Sequence, residues 1–304
     1  MKNKNVALIL AMVATLIGAS ANALSKIGLE GFSPLPMALL RHFFTALFFF
    51  TLAFFSKMRL PKLKDVPWFF LTGFSGFAMF SILFNIGLET TDVSTASIII
   101  GTFPIMTVIL AAIVFKDKIA LGSYVAVGIQ FIGIIVLFAN KGSFSISVGA
   151  LLLFLSALTL AVYNVTQKHL LKKYQPIEII TYSIIACLLL MSMYIPKAIS
   201  EIRLASARAL WAVIILGVVS SGVSTILWST AVSKATSVTT ITNFAFLTPF
   251  LAILYGLILV PEPLALKTII GGIVIIGGSV LFQYFNNRQA TKVATEESDA
   301  QKTL

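Results

Sequence analysis

The chain has 304 residues, of which 58% are hydrophobic and only 11% charged, with a mean hydropathy of +1.00. Soluble domains carry about a quarter charged residues, so a water-soluble globular protein is excluded and the chain belongs in a bilayer. The formal charge of +11 does not signal nucleic acid, because the basic residues are scattered singly through short connections and form no aromatic-interleaved groove.

A spanning helix needs about 20 mostly apolar residues. Ten such segments follow one another at 6–28, 35–56, 66–88, 93–115, 120–139, 148–170, 178–196, 209–232, 238–260 and 266–285. The expected fold is therefore all-α, an integral membrane protein of ten transmembrane helices. The start of the first segment, with Lys2, Lys4 and then small residues around Ala19–Ala23, imitates a cleavable signal peptide. It is read as a span because the sixth segment is its internal counterpart. The tail from 288 to 304 is polar, carries Glu296, Glu297 and Asp299, and reads as disordered. Cys187, the lone cysteine, sits inside the seventh segment, so no disulfide framework and no cysteine-based metal site are expected.

The order of residues is written twice. Asn22, Lys26 and Pro34 recur 142 positions later as Asn164, Lys168 and Pro176; Gly73 recurs after 144 as Gly217; Pro104, Asp117 and Gly133 recur after 145 as Pro249, Glu262 and Gly278. The two copies cover 6–140 and 147–286. Each holds five segments, an odd number, so the second enters the membrane from the opposite side and the repeat is inverted. With the N-terminus inside, 15 basic residues fall on the inner side and 6 on the outer, which places both termini in the cytoplasm and the chain in the cell (inner) membrane. The basic stretch 57–64 is then cytoplasmic, against anionic headgroups. Gly128 with Gly133, and Gly272 with Gly277, give close-packing faces on the fifth and tenth segments, suited either to a homodimer or to contacts within one monomer.

With its Asn-x3-Lys in the first and sixth segments, Arg41 early in the second, a proline in the fourth and ninth and an acid after each of those, the chain resembles the EamA-type carriers of the drug/metabolite transporter superfamily. The resemblance spans about residues 5–286 and implies two five-helix repeats whose substrate cavity is lined by helices one, three, four, six, eight and nine. Two departures stand out. Asp117 replaces the usual glutamate of the first copy, and Thr181-Tyr182-Ser183 occupies the place where an arginine would match Arg41.

Polar residues inside the segments form stripes at helical spacing. Candidate substrate contacts are Asn22 and Ser25 in the first segment, with Thr15 and Gly18 on the same face; Asn85 at the outer end of the third; and Tyr163, Asn164 and Gln167 in the sixth. The eighth adds Ser224 and Trp228 beside Ser221 and Thr225, and the ninth adds Thr242 and Asn243 beside Thr239 and Phe246. Amides in hydrocarbon need partners, so the asparagines carry the most weight. Pro104 and Pro249 are the candidate hinges, because each removes a backbone donor deep in an apolar segment. Arg41 and His42 lie about two turns into the second segment, where charge is costly and functional by default. Lys26 and Lys168 stand near opposite faces, placed either to close gates or to anchor the helices. Phe70, Phe74, Phe77, Phe80 and Phe84 of the third segment pack, or else line a site for an apolar moiety.

These features point to a secondary transporter for a small polar, neutral or zwitterionic metabolite, amino-acid-like, working by alternating access and exporting it. No Asp or Glu lies mid-segment, so coupling to protons through a membrane carboxylate is not expected. No cofactor or metal ligand set is visible, and the partners are a small-molecule substrate and the lipid bilayer. A lipid or lipid-linked sugar flippase of the same fold is the alternative. A membrane-embedded enzyme is disfavoured by the absence of paired intramembrane aspartates, His-x-x-x-His or Gly-x-Ser-x-Gly.

Overall fold

The computed structural model describes residues 2–56, 58–115, 121–140, 143–234, 247–260 and 264–302, with residues 2–4, 115, 138–140, 143–146, 232–233, 283 and 286–302 described by backbone alone. Seven helical spans are long and apolar enough to cross a membrane: Asn5–Gly28 (span 1), Pro34–Phe55 (span 2), Leu63–Glu89 (span 3), Val93–Val114 (span 4), Val148–Leu170 (span 6), Pro176–Leu204 (span 7) and Ala207–Ala231 (span 8). Three shorter apolar helices, Leu121–Leu137 (span 5), Leu247–Leu259 (span 9) and Leu266–Phe282 (span 10), complete the ten. A two-stranded antiparallel ladder, Ala139–Asn140 with Ser143–Ile146, lies in the connection between the halves. The helix that contains span 10 runs on to Lys302, into the stretch whose composition suggests disorder. Its Ala, Glu, Lys and Gln residues are strong helix formers, which outweighs their polarity in setting backbone conformation.

With ten crossings, both chain ends lie on one side, called here the terminal side; the other is the far side. The halves interlock. Span 1 packs on span 8 and span 6 on span 3, while spans 5 and 10 pack on each other. The tightest crossings are reciprocal. A Cβ placed on Gly73 in span 3 would lie 2.5 Å from the Ser183 carbonyl oxygen of span 7 and close to Ala186 and Cys187. One placed on Gly217 in span 8 would lie 2.6 Å from the Arg41 carbonyl oxygen of span 2 and close to Phe44 and Thr45. The offset of 142 relates Arg41, Phe44 and Thr45 to Ser183, Ala186 and Cys187, and 144 relates Gly73 to Gly217. The same crossing is therefore made twice, with the halves exchanged.

Both crossings coincide with a widened helical turn. Span 3 is π-helical over Phe74–Met79 and span 8 over Leu216–Val223. A π turn inserts a residue into the helical register and exposes backbone carbonyls. Neighbours from span 2 take up such carbonyls: Thr45 Oγ1 donates to Gly217 (3.0 Å), and His42 Nε2 lies 3.1 Å from the Phe77 oxygen. The inserted residue also splits the phenylalanine stripe. Phe70 and Phe74 face outward, Phe84 is buried in the core, and Phe77 and Phe80 turn towards the centre.

Gly133 and Gly278 serve contacts within the monomer, against the carbonyls of Gly271 and Ala126, whereas among the described residues no atom lies within 4 Å of a Cβ placed on Gly128 or Gly277. On the far side the ends of spans 1, 2, 7 and 8 close into a core of Phe32, Met37, Ala209 and Val213. Polar links between the halves ring both faces. On the far side Glu201 accepts from the Ser33 backbone N–H and hydroxyl, and Arg208 pairs with Glu30. On the terminal side Arg59 pairs with Glu178, and Lys173 and Tyr174 both bind Asp65. The Glu178 carboxylate raises the pKa of Arg59 above the usual arginine value, so this loop residue is docked onto the protein as a cation.

Because Gly73 and Gly217 meet backbone, which cannot swing aside, Gly73→Val and Gly217→Val should each cost about 1–3 kcal/mol of stability. Thermal unfolding in detergent should show a lowered midpoint for both, and an unchanged midpoint for Gly277→Val.

Candidate functional site: a cavity between the halves

Where the two halves meet, spans 1, 2, 3, 4, 6, 7, 8, 9 and 10 enclose a cavity of about 880 Å³. That volume is within the range of small-molecule sites. Spans 2, 7 and 10 thus join the six helices that the family resemblance implies, through residues such as Thr45, Phe49, Ile180, Ser279 and Phe282.

Among the residues singled out from sequence, Asn22, Tyr163, Asn164, Ser224, Trp228, Pro104, Pro249, Arg41 and His42 all line this space. Asn22 is oriented by donating from Nδ2 to Ser97 Oγ (2.8 Å), itself bonded to the Val93 carbonyl. Asn164 donates from Nδ2 to the Leu160 carbonyl (3.0 Å), one turn back on its own helix. In both, the amide nitrogen is engaged and the carbonyl oxygen is available as an acceptor. Tyr163 packs edge-on against Phe77 and directly over Gly76, the only residue type whose missing side chain leaves room for its ring. Its hydroxyl has no hydrogen-bond partner among the described residues.

Five sequence candidates lie elsewhere. Ser25 is fully buried in the packing of span 1. Asn85, also buried, donates to the Pro34 carbonyl (2.9 Å) and fastens span 3 to the start of span 2. Lys26 donates to the carbonyls of Leu88 (2.6 Å) and Thr91 (2.8 Å), tying span 1 to the end of span 3 and to the connection that follows it on the far side. Gln167 and Lys168 lie one turn and more beyond Asn164, outside the cavity lining. Thr242 and Asn243, with Thr239, Phe246, Asp117 and Glu262, lie outside the described residues.

The break in span 4 falls at Gly101–Thr102, between helices Val93–Ile100 and Phe103–Phe115, with Pro104 in the first turn of the second piece. Thr102 N and Oγ1 both donate to the Ile99 carbonyl. Pro249 sits in the first described turn of span 9, and its ring would be 3.1 Å from a Cβ on Gly101. Pro249 therefore packs at the break in span 4, a further contact between the halves beside the cavity.

Span 2 supplies the polar seam. Arg41 Nε donates to Ser221 Oγ (3.1 Å) on span 8, and His42 Nε2 lies 2.8 Å from Ser81 Oγ on span 3. A proton on Nε2 serves both the Phe77 carbonyl and Ser81, which accounts for His42 as a fastener between spans 2 and 3. Sequence spacing missed Ser97, Ser220 and Gly101, because what brings them to the cavity is the helix break and the crossing of distant spans. Ser20 and Ser220, 200 positions apart, share a 2.8 Å hydrogen bond.

A bundle of ten spans around a central cavity lined by apolar, aromatic and a few polar side chains is the architecture of a membrane carrier. Two stretches, residues 5–139 and 147–284, match the model of the EamA-like transporter family. The chain belongs to the EamA-like transporter family. It is 31% identical to "Uncharacterized transporter YdfC" of Bacillus subtilis, over 91% of each chain. It is 26% identical to "Probable terminal-alkyne amino-acid exporter" of Streptantibioticus cattleyicolor, over 89% of this chain and 91% of that one. A solved crystal structure at 16% identity shares the fold, with a TM-score of 0.62 over 94% of this chain and 99% of that one. The protein is a multi-pass membrane transporter.

Removing the His42 donor strands a buried carbonyl and hydroxyl. His42→Phe should lower stability in detergent by about 1–3 kcal/mol, and His42→Gln, which keeps an N–H donor, should lose less; matched thermal-unfolding curves of the two variants provide the check.

Proposed function

We propose that the protein is a secondary carrier that exports a small polar, neutral or zwitterionic, amino-acid-like metabolite across the cytoplasmic membrane by alternating access. The observation that carries this reading is the mid-membrane cavity shared by two inverted halves and walled by Asn22, Asn164, Ser97 and Ser224, with no acidic residue in its described lining. Amides and hydroxyls bind a ligand of low net charge, and inverted halves can exchange conformations around a fixed site. The similarity to a protein named as an amino-acid exporter supports the substrate class and the direction. Both termini are taken to be cytoplasmic, following the excess of basic residues on that side.

In this mechanism the links between the halves act as alternating closures. The far-side core and the Glu201 and Arg208 contacts seal one face while substrate exchanges at the other. Separation of that seal and tightening on the terminal side then present the same site to the far side. Substrate exchange, or its own gradient, drives the cycle, since the described lining offers no carboxylate to carry a proton.

Purified protein in liposomes should catalyse counterflow of a labelled neutral amino acid into vesicles preloaded with the unlabelled compound, at a rate unchanged by protonophore. Collapse with protonophore would overturn gradient-driven exchange, and competition by lipid in place of amino acids would show a flippase. In a Cys187→Ser background, a cysteine at Ser224 should react with impermeant thiol reagent from one face at a time; simultaneous reaction from both faces would exclude alternating access.

A further inference from the structure

Arg41 is the single Lys, Arg, Asp or Glu in the described lining of the cavity. Among the described residues its guanidinium bonds only Ser221 Oγ, through Nε, and no carboxylate pairs with it. A guanidinium held away from bulk water requires a counter-charge or a dense set of acceptors. The direction of the side chain excludes a surface role. Spans 2 and 8 run the same way through the membrane, from far side to terminal side. The Arg41 carbonyl abuts Gly217, yet its side chain reaches Ser221, one turn deeper. The guanidinium thus turns away from the nearer surface and into the cavity, against the sense of snorkelling.

Depth separates the charged group from a cluster of aromatic rings. Asn22, Arg41 and Ser97 sit within about one to two turns of the far ends of their spans, whereas Phe49, Tyr163, Trp228 and Phe282 sit about four to six turns from theirs, at the level of Asn164 and Ser224. The guanidinium thus lies towards the far side of the cavity, and these four rings towards the terminal side.

We propose that Arg41 binds the carboxylate of the transported molecule and that the wall of Phe49, Tyr163, Trp228 and Phe282 receives an apolar side chain at its other end. The substrate class is then an apolar carboxylate, and most suitably an apolar amino acid, whose ammonium group meets the free amide oxygen of Asn22. This rests on the carrier reading of the same cavity and sharpens its substrate. One guanidinium matches one carboxylate in charge and in its two-pronged geometry, and a phosphate monoester, with nearly twice the charge, would call for further cations that the described wall does not supply.

The test uses the full-length protein in detergent and in liposomes, with L-leucine, L-phenylalanine, L-phenylalaninamide, phenethylamine and phenyl phosphate as probes. The two amino acids should raise the thermal-unfolding midpoint and bind at least about tenfold more tightly than the amide and the amine, which lack the carboxylate. Arg41→Gln should erase that preference, and Trp228→Ala should weaken leucine and phenylalanine more than L-alanine, added as a small-side-chain probe. Equal binding of acid and amide by the wild type, tighter binding of phenyl phosphate, or binding of none of the acids would each overturn the assignment, whether or not the variants fold. Carboxylate-dependent binding without counterflow would sink the carrier reading and leave the Arg41 site standing; counterflow restricted to compounds without a carboxylate would do the reverse.

Discussion

The architecture depends on two places where a helix presses its bare backbone against the backbone of another. At Gly73 and at Gly217 the third helix of each half meets the second helix of the opposite half, and at both points a Cβ atom would overlap a carbonyl oxygen. In a bilayer there is no hydrophobic drive to bring helices together, because lipid tails are as apolar as leucine. Close approach is then what earns association, through dispersion and short polar contacts such as Thr72 to Ser183 and Thr45 to the Gly217 carbonyl. Because the two crossings are images of each other, they hold the halves together at one level of the membrane and leave the space beside them for a cavity.

The π turns that begin at these crossings have a second effect. By shifting the helical register of spans 3 and 8 they turn Phe77, Phe80, Ser220 and Ser221 inward while neighbouring positions stay against lipid or core. Polar side chains of span 2 then take the carbonyls and hydroxyls so presented. Span 2 is in this way the spacer between two irregular helices. Its counterpart, span 7, has Ser183 and Ile184 where span 2 has Arg41 and His42, so a symmetric frame carries an asymmetric site. A carrier needs both: equivalent halves can exchange conformations, and inequivalent linings give the substrate one orientation.

Part of the cavity lining was legible as stripes. Asn22, Asn164, Ser224 and Trp228 share helix faces with other polar residues and do line the cavity, because helical periodicity survives in spans 1, 6 and the second part of span 8. Other candidate residues lie outside the cavity lining, where they have backbone partners that sequence does not show. Asn85 holds Pro34, and Lys26 holds the carbonyls of Leu88 and Thr91, so both serve the scaffold on the far side. Ser25 continues the Asn22 face for nearly one more turn, where span 1 has entered packed core. The phenylalanine stripe divides between both of its expected roles, because the residue inserted into the helical register turns Phe77 and Phe80 to the cavity while Phe70 and Phe74 face outward and Phe84 enters the core.

The sequence by itself determined the membrane, the ten spans, the duplication and the opposed orientation of the halves. Each of those follows from local properties: the length of apolar runs, the recurrence of a residue order, and an odd number of crossings. Only the tertiary structure decided which faces meet. Whether an asparagine fastens a neighbour or meets a cavity, and whether an arginine turns to the surface or inward to Ser221, depends on helices 51 to 180 positions away in the chain. Those contacts are fixed by backbone approach at glycines and by the irregular turns beside them, and no periodicity within a single span encodes either.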